Sequence, residues 1–178
     1  MSDSIINDFC DAVERCSEKS SGTNDYSSLR SDMCFLEKKP VHVRTLKTAS
    51  DRIILIPIGD VHFGQPNCDT KSFLNTVDFI LNTPNAYTVL AGDLLETATK
   101  TSIGAGVYEQ TMNPNEQLRQ MVKVLKPLAD KDKILGGVSG NHEIRIMEAT
   151  SIDMTMQLCA LLDIPYDSFQ MFLSLMAN

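Results

Sequence analysis

Three short polar segments of the sequence carry side chains of the types that bind metal ions. The first contains Asp60 and His62, the second Asp93, and the third Asn141 and His142. Carboxylate oxygens, imidazole nitrogens and an amide oxygen together suit divalent ions of intermediate hardness, such as Mn, Fe, Zn or Ni. Asp60 and His62 lie two positions apart in a segment that we expect to be extended. Both side chains are therefore predicted to point the same way and to chelate one ion.

A second ion is suggested by the other two ligand types. Asp93 has two carboxylate oxygens and can bridge two ions, whereas Asn141 offers a neutral oxygen that limits the build-up of negative charge. Two ions about 3.5–4 Å apart, sharing a hydroxide, make a nucleophile for in-line attack on phosphorus. The chemistry that these residue types favour is the hydrolysis of a phosphate ester.

Each polar segment follows a stretch that predicts a β-strand. Residues 52–58 (RIILIPI) and 87–91 (YTVLA) predict buried strands, and residues 133–139 (KILGGVS) predict a third strand. Ligands of α/β proteins bind at the carboxyl ends of the strands, so we expect the three segments to meet at one site. The glycines in these segments allow the backbone to turn sharply and bring the side chains together.

Helices are predicted between these strands. Residues 73–81 have one apolar helical face that ends at Thr83-Pro84, and Asn113 is predicted to cap a helix that begins with Pro114. A last helix is predicted around residues 152–163. Its apolar positions are expected to share one face: Ile152, Met156, Cys159 and Leu162. With residues 41–44 alternating as a half-exposed strand, this order predicts a layered α/β domain whose central strands are mostly parallel.

The motifs DVH at 60–62, GDLLE at 92–96 and GNHE at 140–143 each follow a hydrophobic strand, and together they resemble the calcineurin-like metallophosphoesterases. The resemblance extends from about Arg52 to Arg145. It implies an α/β sandwich fold and a hydrolase that uses two divalent metal ions. The implied substrate is a phosphomonoester or phosphodiester in a nucleotide, a nucleic acid or a phosphoprotein, which leaves phosphatase and nuclease activities open.

The resemblance also assigns a role to each matching residue. It implies that Asp60 and His62 bind the first metal, that Asp93 bridges both metals and that Asn141 binds the second. His142 is expected beside the substrate phosphate, where it stabilises charge or protonates the leaving oxygen.

Two further residues near these motifs have less specific roles. The family often has Asp or Asn where this chain has Glu96, and Glu96 is expected to orient His142. Arg145 is expected either to contact the phosphate through two parallel hydrogen bonds or to be a surface arginine at the start of a helix.

The histidine content departs from the family pattern. That pattern continues beyond GNHE with a further histidine and a G-H-x-H segment, but no histidine follows His142, and His42 is expected to be a solvated strand residue. We therefore expect the N-terminal portion of a metallophosphoesterase domain with an incomplete second sheet. The alternatives are a catalytically incomplete fragment or pseudo-enzyme acting as a metal-binding or interaction module, or one half of a two-chain enzyme. In the last case a partner chain supplies the missing histidine ligands.

The remaining segments are less informative. Residues 1–39 are predicted to be an N-terminal extension with a short helix and a flexible Ser-rich linker, and residues 40–178 to be the metallophosphoesterase domain. Residues 97–112 form a Gly-, Thr- and Ala-rich loop that is expected either to face the substrate as a lid or to be disordered.

Charge and composition exclude some classes of protein. Sixteen Lys and Arg against 23 Asp and Glu give a net charge of −7, which disfavours coating of DNA driven by counterion release. The longest apolar run, residues 53–58, is far shorter than the roughly 20 residues of a membrane span, so no membrane association is expected. The five cysteines include no C-x-x-C pair, and with no signal peptide pattern they favour a cytoplasmic location.

Overall fold

A computed structural model describes residues 41–46, 52–99 and 109–177 of the chain. Strands and helices alternate through most of this part, as the sequence predicts. Its strands are β1 (Val41–Leu46), β2 (Ile54–Ile58), β3 (Ala86–Leu90), β4 (Ile134–Val138), β5 (Tyr166–Asp167) and β6 (Phe172–Ala177). Its helices are α1 (Thr70–Asn82), α2 (Pro114–Ala129), α3 (Asn141–Thr150) and α4 (Met154–Leu162).

The strands form two parallel sheets. Strands β2, β3, β4 and β5 lie side by side in that order, and β1 pairs with β6 in a separate two-stranded sheet. The prediction of an α/β fold with parallel central strands is confirmed. Because β2, β3 and β4 run in the same direction, the loops that follow them leave from the same edge of the sheet.

Apolar side chains pack against both faces of the larger sheet. Helices α1, α2 and α4 contribute Ile80, Leu125 and Leu158 to the main core, where they join Leu90 and Ile134 from the strands. A smaller cluster contains Tyr87 and Leu135 from the larger sheet with Leu46 from β1. The sheet that positions the polar loops is thus anchored by helices and by the β1–β6 pair.

The prediction that residues 52–58 form a buried strand is wrong about the burial of β2. In β2, Ile54 is 38% exposed and Leu55 is 43% exposed, whereas Ile58 is only 5% exposed. The reason is its place in the sheet, because β2 is an edge strand that pairs only with β3 in the described part of the chain. The apolar residues 52–58 identify a strand, but they do not reveal whether another strand pairs with it on each side. Strands β3 and β4 are largely buried, as predicted.

The predicted helix ends are confirmed for two helices. Thr83 ends α1 and donates its backbone N–H to the carbonyl of Phe79 at 3.0 Å, and the Asn113 side chain accepts from the N–H of Glu116 at 3.0 Å at the start of α2. The prediction that four apolar residues share one face of the last helix, α4, is wrong in part. Cys159 and Leu162 are buried, but the two preceding members of that face are exposed: Ile152 and Met156. Ile152 precedes the helix, so it does not share the helical periodicity.

Some predictions concern residues outside the described part. They are the short helix and linker of residues 1–39, the boundary at residue 40, and most of the 97–112 loop. Within the described residues, no helix has the length and apolar character needed to cross a membrane.

Candidate metal centre

The loops after β2 and β3 run side by side. Asp60 donates its backbone N–H to the carbonyl of Gly92 at 3.1 Å, and His62 donates to the carbonyl of Asp93 at 3.0 Å. The pairing ends where Phe63 forms a parallel bridge with Leu95. Parallel strand pairing therefore continues past the strand ends. It places the DVH side chains directly beside those of the GDLLE loop.

Two glycines let the third loop pack against the second. A Cβ atom on Gly92, which has φ +86°, would lie 2.6 Å from the backbone nitrogen of Gly140. A Cβ atom on Gly140 would overlap the backbone nitrogen and the carboxylate of Asp93. Only glycine allows the two backbones to approach this closely. The predicted convergence of the three loops at one site is confirmed.

Three of the predicted ligands have left-handed backbone conformations. The φ angles are +52° at Asp60, +51° at His62 and +50° at Asp93. The prediction of an extended DVH segment is therefore wrong, because the backbone hydrogen bonds to the GDLLE loop hold these residues in another conformation. Such conformations cost about 1–3 kcal/mol each and concentrate at functional sites.

The two predicted ligands of the first metal share a group with Asp93. Asp60, His62 and Asp93 each offer one donor atom, and these atoms all lie within 4.8 Å of one another. His62 Nε2 is 3.9 Å from Asp60 Oδ1. The Asp60 side chain is 89% exposed and that of His62 is 25% exposed, so the group opens to solvent.

A second group lies deeper and shares His62. It consists of His62, Glu96 and His142, whose donor atoms are also within 4.8 Å of one another. Glu96 Oε2 is 3.4 Å from His62 Nδ1 and 3.4 Å from His142 Nδ1, and the Glu96 side chain is only 8% exposed. The two imidazole rings meet edge to face, with centroids 4.2 Å apart. Glu96 is thus close enough to orient His142, as the sequence predicts, but it also contacts His62.

His142 is held by backbone and side-chain contacts in the first turn of α3. Its backbone N–H donates to Asp93 Oδ1 at 2.8 Å, and its carbonyl accepts from the hydroxyl of Thr97 at 2.7 Å. Its Nδ1 is 3.0 Å from the carbonyl oxygen of Glu96. The Asp93 carboxylate therefore lies at the N-terminus of a helix, where exposed N–H groups and the helix dipole favour negative charge.

The other two predicted site residues lie on the same helix as His142. Asn141 is the first residue of α3 and its side chain is exposed, whereas Arg145 follows four positions later and is half-buried. Asn141 has a helical rather than a left-handed backbone conformation, unlike Asp60, His62 and Asp93. His42 lies in β1 and belongs to neither group of candidate ligands.

Sequence reasoning assigned no role to Glu143, which holds the loops together. The Glu143 side chain accepts from the backbone N–H of Leu95 at 2.8 Å and from those of Asp93 and Gly140 at 3.1 Å each. Only 2% of Glu143 is exposed, and this burial raises the pKa of its carboxyl, although the backbone N–H donors oppose the rise. Its spacing of three residues after the glycine, typical of a capping glutamate, is the signal that identifies it.

The residues present fit a divalent cation. The two groups together contain Asp60, Asp93 and Glu96 with two imidazoles, a mixed oxygen and nitrogen donor set that suits Mn, Fe or Zn. His62 Nδ1 and Glu96 Oε2 are buried without a hydrogen-bond partner in the described structure. No protein-family model, curated protein or solved structure matches this chain. Only the local geometry of these two groups indicates a metal ion.

Proposed function

We propose that this chain is a metal-dependent phosphoesterase domain of the calcineurin-like metallophosphoesterase type. The observation that carries the proposal is the group formed by Asp60, His62 and Asp93, with donor atoms within 4.8 Å at the carboxyl edge of a parallel sheet. The same motifs imply that His142 protonates the leaving oxygen. Its backbone N–H donates a hydrogen bond to the Asp93 carboxylate. A ligand group next to an imidazole at this edge is suited to metal-dependent hydrolysis of a phosphate ester.

Each ligand has a role in holding the ions. Asp60, His62 and Asp93 would hold the first ion, and Asn141 with Asp93 would hold the second. Asp93 Oδ1 accepts one hydrogen bond from His142, which leaves its other oxygen and a second lone pair for metal. When bound, divalent ions polarise the phosphate oxygens and activate water for in-line attack.

His142 is suited to proton transfer by the way its ring is fixed. Its Nδ1 faces the Glu96 carbonyl oxygen at 3.0 Å, so Nδ1 carries the proton and Nε2 is left to exchange a proton with the leaving oxygen. Arg145 on the same helix would bind the phosphate oxygens that do not react. The exposed Asp60 marks the side from which the substrate approaches.

Hydrolysis of 4-nitrophenyl phosphate and of its bis-ester tests the proposed function. We expect Mn²⁺-stimulated turnover that falls at least about 100-fold in His142→Ala, because general acid catalysis contributes about 10²–10⁴-fold. His42→Ala is the matched control, since His42 belongs to neither ligand group. Turnover that does not depend on metal, or equal turnover in His142→Ala, would contradict the proposal.

One observation favours a second candidate function, that of a non-catalytic module that binds a single ion. The described structure brings only two histidines to the ligand groups, His62 and His142, whereas His42 lies in β1. Elemental analysis distinguishes the two candidates. Two equivalents of transition metal per chain support the phosphoesterase, whereas one equivalent without turnover supports the module.

A further inference from the structure

Two buried polar atoms without a hydrogen-bond partner face each other within the site. They are His62 Nδ1 and Glu96 Oε2, which lie 3.4 Å apart. A buried donor or acceptor that stays unsatisfied costs about 1–3 kcal/mol. Their separation is only slightly longer than the roughly 2.7–3.2 Å of an N–H···O hydrogen bond, and each atom is of the type that could satisfy the other.

The neighbouring imidazole does not compete strongly for this oxygen. His142 Nδ1 is also 3.4 Å from Glu96 Oε2, but it has a closer acceptor in the Glu96 carbonyl oxygen, at 3.0 Å. A carbonyl oxygen only accepts, so His142 Nδ1 must carry the proton in this contact. The carboxylate oxygen is therefore left mainly to His62.

We propose that Glu96 is a positioning residue for His62 that holds the proton on Nδ1 and so presents Nε2 as the metal ligand. This inference rests on the proposed function, because it assigns His62 to the first metal. The geometry supports it, since Nε2 is the nitrogen that lies 3.9 Å from Asp60 Oδ1. Histidines that bind metals almost always donate their other ring N–H to a carboxylate, a carbonyl or water, which fixes the ring and makes it a stronger ligand.

The alternative is that Glu96 binds the ion directly together with both imidazoles. If His142 bound that ion through Nδ1, the nitrogen 3.4 Å from the Glu96 carboxylate, Nδ1 would have to be unprotonated while it lies 3.0 Å from a carbonyl oxygen, which places two lone pairs against each other. The contact with the Glu96 carbonyl therefore favours a hydrogen-bonded role for this deeper group. Glu96 then links the orientation of a metal ligand to that of the proposed acid.

The proton position on His62 tests the inference without any metal. Long-range ¹⁵N–¹H correlation spectra of the metal-free protein at about pH 8.5, where imidazole is ordinarily neutral, distinguish the two tautomers. We expect the Nδ1–H form at His62 in the wild-type protein and loss of this preference in Glu96→Met. An Nε2–H form at His62 in the wild-type protein would overturn the inference, whether or not the variant folds.

Mn²⁺ affinity, measured by titration calorimetry, provides the second test. Glu96→Met is expected to weaken binding 10–100-fold, whereas Glu96→Gln, which retains an acceptor oxygen, should weaken it less. Glu148→Met is the matched control, because it removes an exposed glutamate from α3. Equal affinity of the wild type and Glu96→Met contradicts the inference. Tight Mn²⁺ binding that depends on Glu96 but gives no phosphate ester hydrolysis contradicts the proposed function and supports the inference, whereas a wild type that binds no Mn²⁺ contradicts both.

Discussion

Individual backbone conformations determine where the candidate ligands lie. Asp60, His62 and Asp93 all have φ near +50°, a region that aspartate and histidine enter more readily than most residues but still at a cost in free energy. The paired loops supply the hydrogen bonds that hold them there. These conformations lower the stability of this edge of the sheet, and such strain is concentrated at functional sites.

Glu143 is predicted to be essential for holding the loops of the candidate site in place. Replacing it with alanine removes the acceptor for the backbone N–H groups of Asp93, Leu95 and Gly140. We expect Glu143→Ala to lower the free energy of unfolding by about 3 kcal/mol, because buried donors lose their partner. Urea denaturation measures the change.

The control for this variant is Glu148→Ala, which removes an exposed glutamate from the same helix. It is expected to change the free energy of unfolding by no more than about 0.5 kcal/mol. A loss of less than about 1 kcal/mol in Glu143→Ala would show that other groups or water satisfy these donors.

The loop after β3 and the loop before α3 pack against each other and together shape the candidate site. Gly140 precedes α3 and lies against Asp93 in the loop after β3. In Gly140→Ala the new methyl group must displace the Asp93 backbone and carboxylate. We expect a loss of about 1–3 kcal/mol in stability, as for other overpacked sites, together with a loss of Mn²⁺ affinity. Unchanged Mn²⁺ affinity in this variant would contradict the close approach of the two loops.

Hydrogen bonds between side chains connect β5, the start of α4 and the end of β4 beside the site. Tyr166 in β5 donates its hydroxyl to Asp153, which caps α4, and it also contacts the Ser139 hydroxyl at 3.1 Å just after β4. Burial, followed by the hydrogen bond to Asp153, raises the pKa of the Tyr166 phenol. The folded state therefore favours the neutral phenol.

This raised pKa predicts the sign of a pH effect on stability. An unfolded tyrosine ionises near pH 10, so the contribution of Tyr166 is complete below that pH and decreases as the pH rises above it. The free energy of unfolding of the wild type should fall more steeply between about pH 9 and 11 than that of Tyr166→Phe. Guanidinium denaturation across this range measures both slopes, and equal slopes would contradict the prediction.

Across the whole molecule, the sequence predicts the strands and the location of the site, but not how the strands and loops pair. The β-branched runs and the glycines after them correctly predict the strands and the edge at which Asp60, Asp93 and His142 meet. The sequence does not reveal that β2 is an edge strand, because that depends on which strands pair. It indicates helix α3 only through the alternative of a helix start at Arg145. It misses the hydrogen bonds from Asp93 and Leu95 to Glu143, because these depend on the approach of loops that are distant in sequence.

The proposed phosphoesterase activity depends on a divalent metal ion held by Asp60, His62 and Asp93 at the carboxyl edge of the larger sheet. Crystals grown with Mn²⁺ and measured on both sides of its absorption edge test this claim most directly, because anomalous scattering locates the ion. We predict a strong peak about 2.0–2.3 Å from the donor atoms of all three side chains. The absence of a peak there, or an ion bound only by other residues, would contradict the proposed metal site.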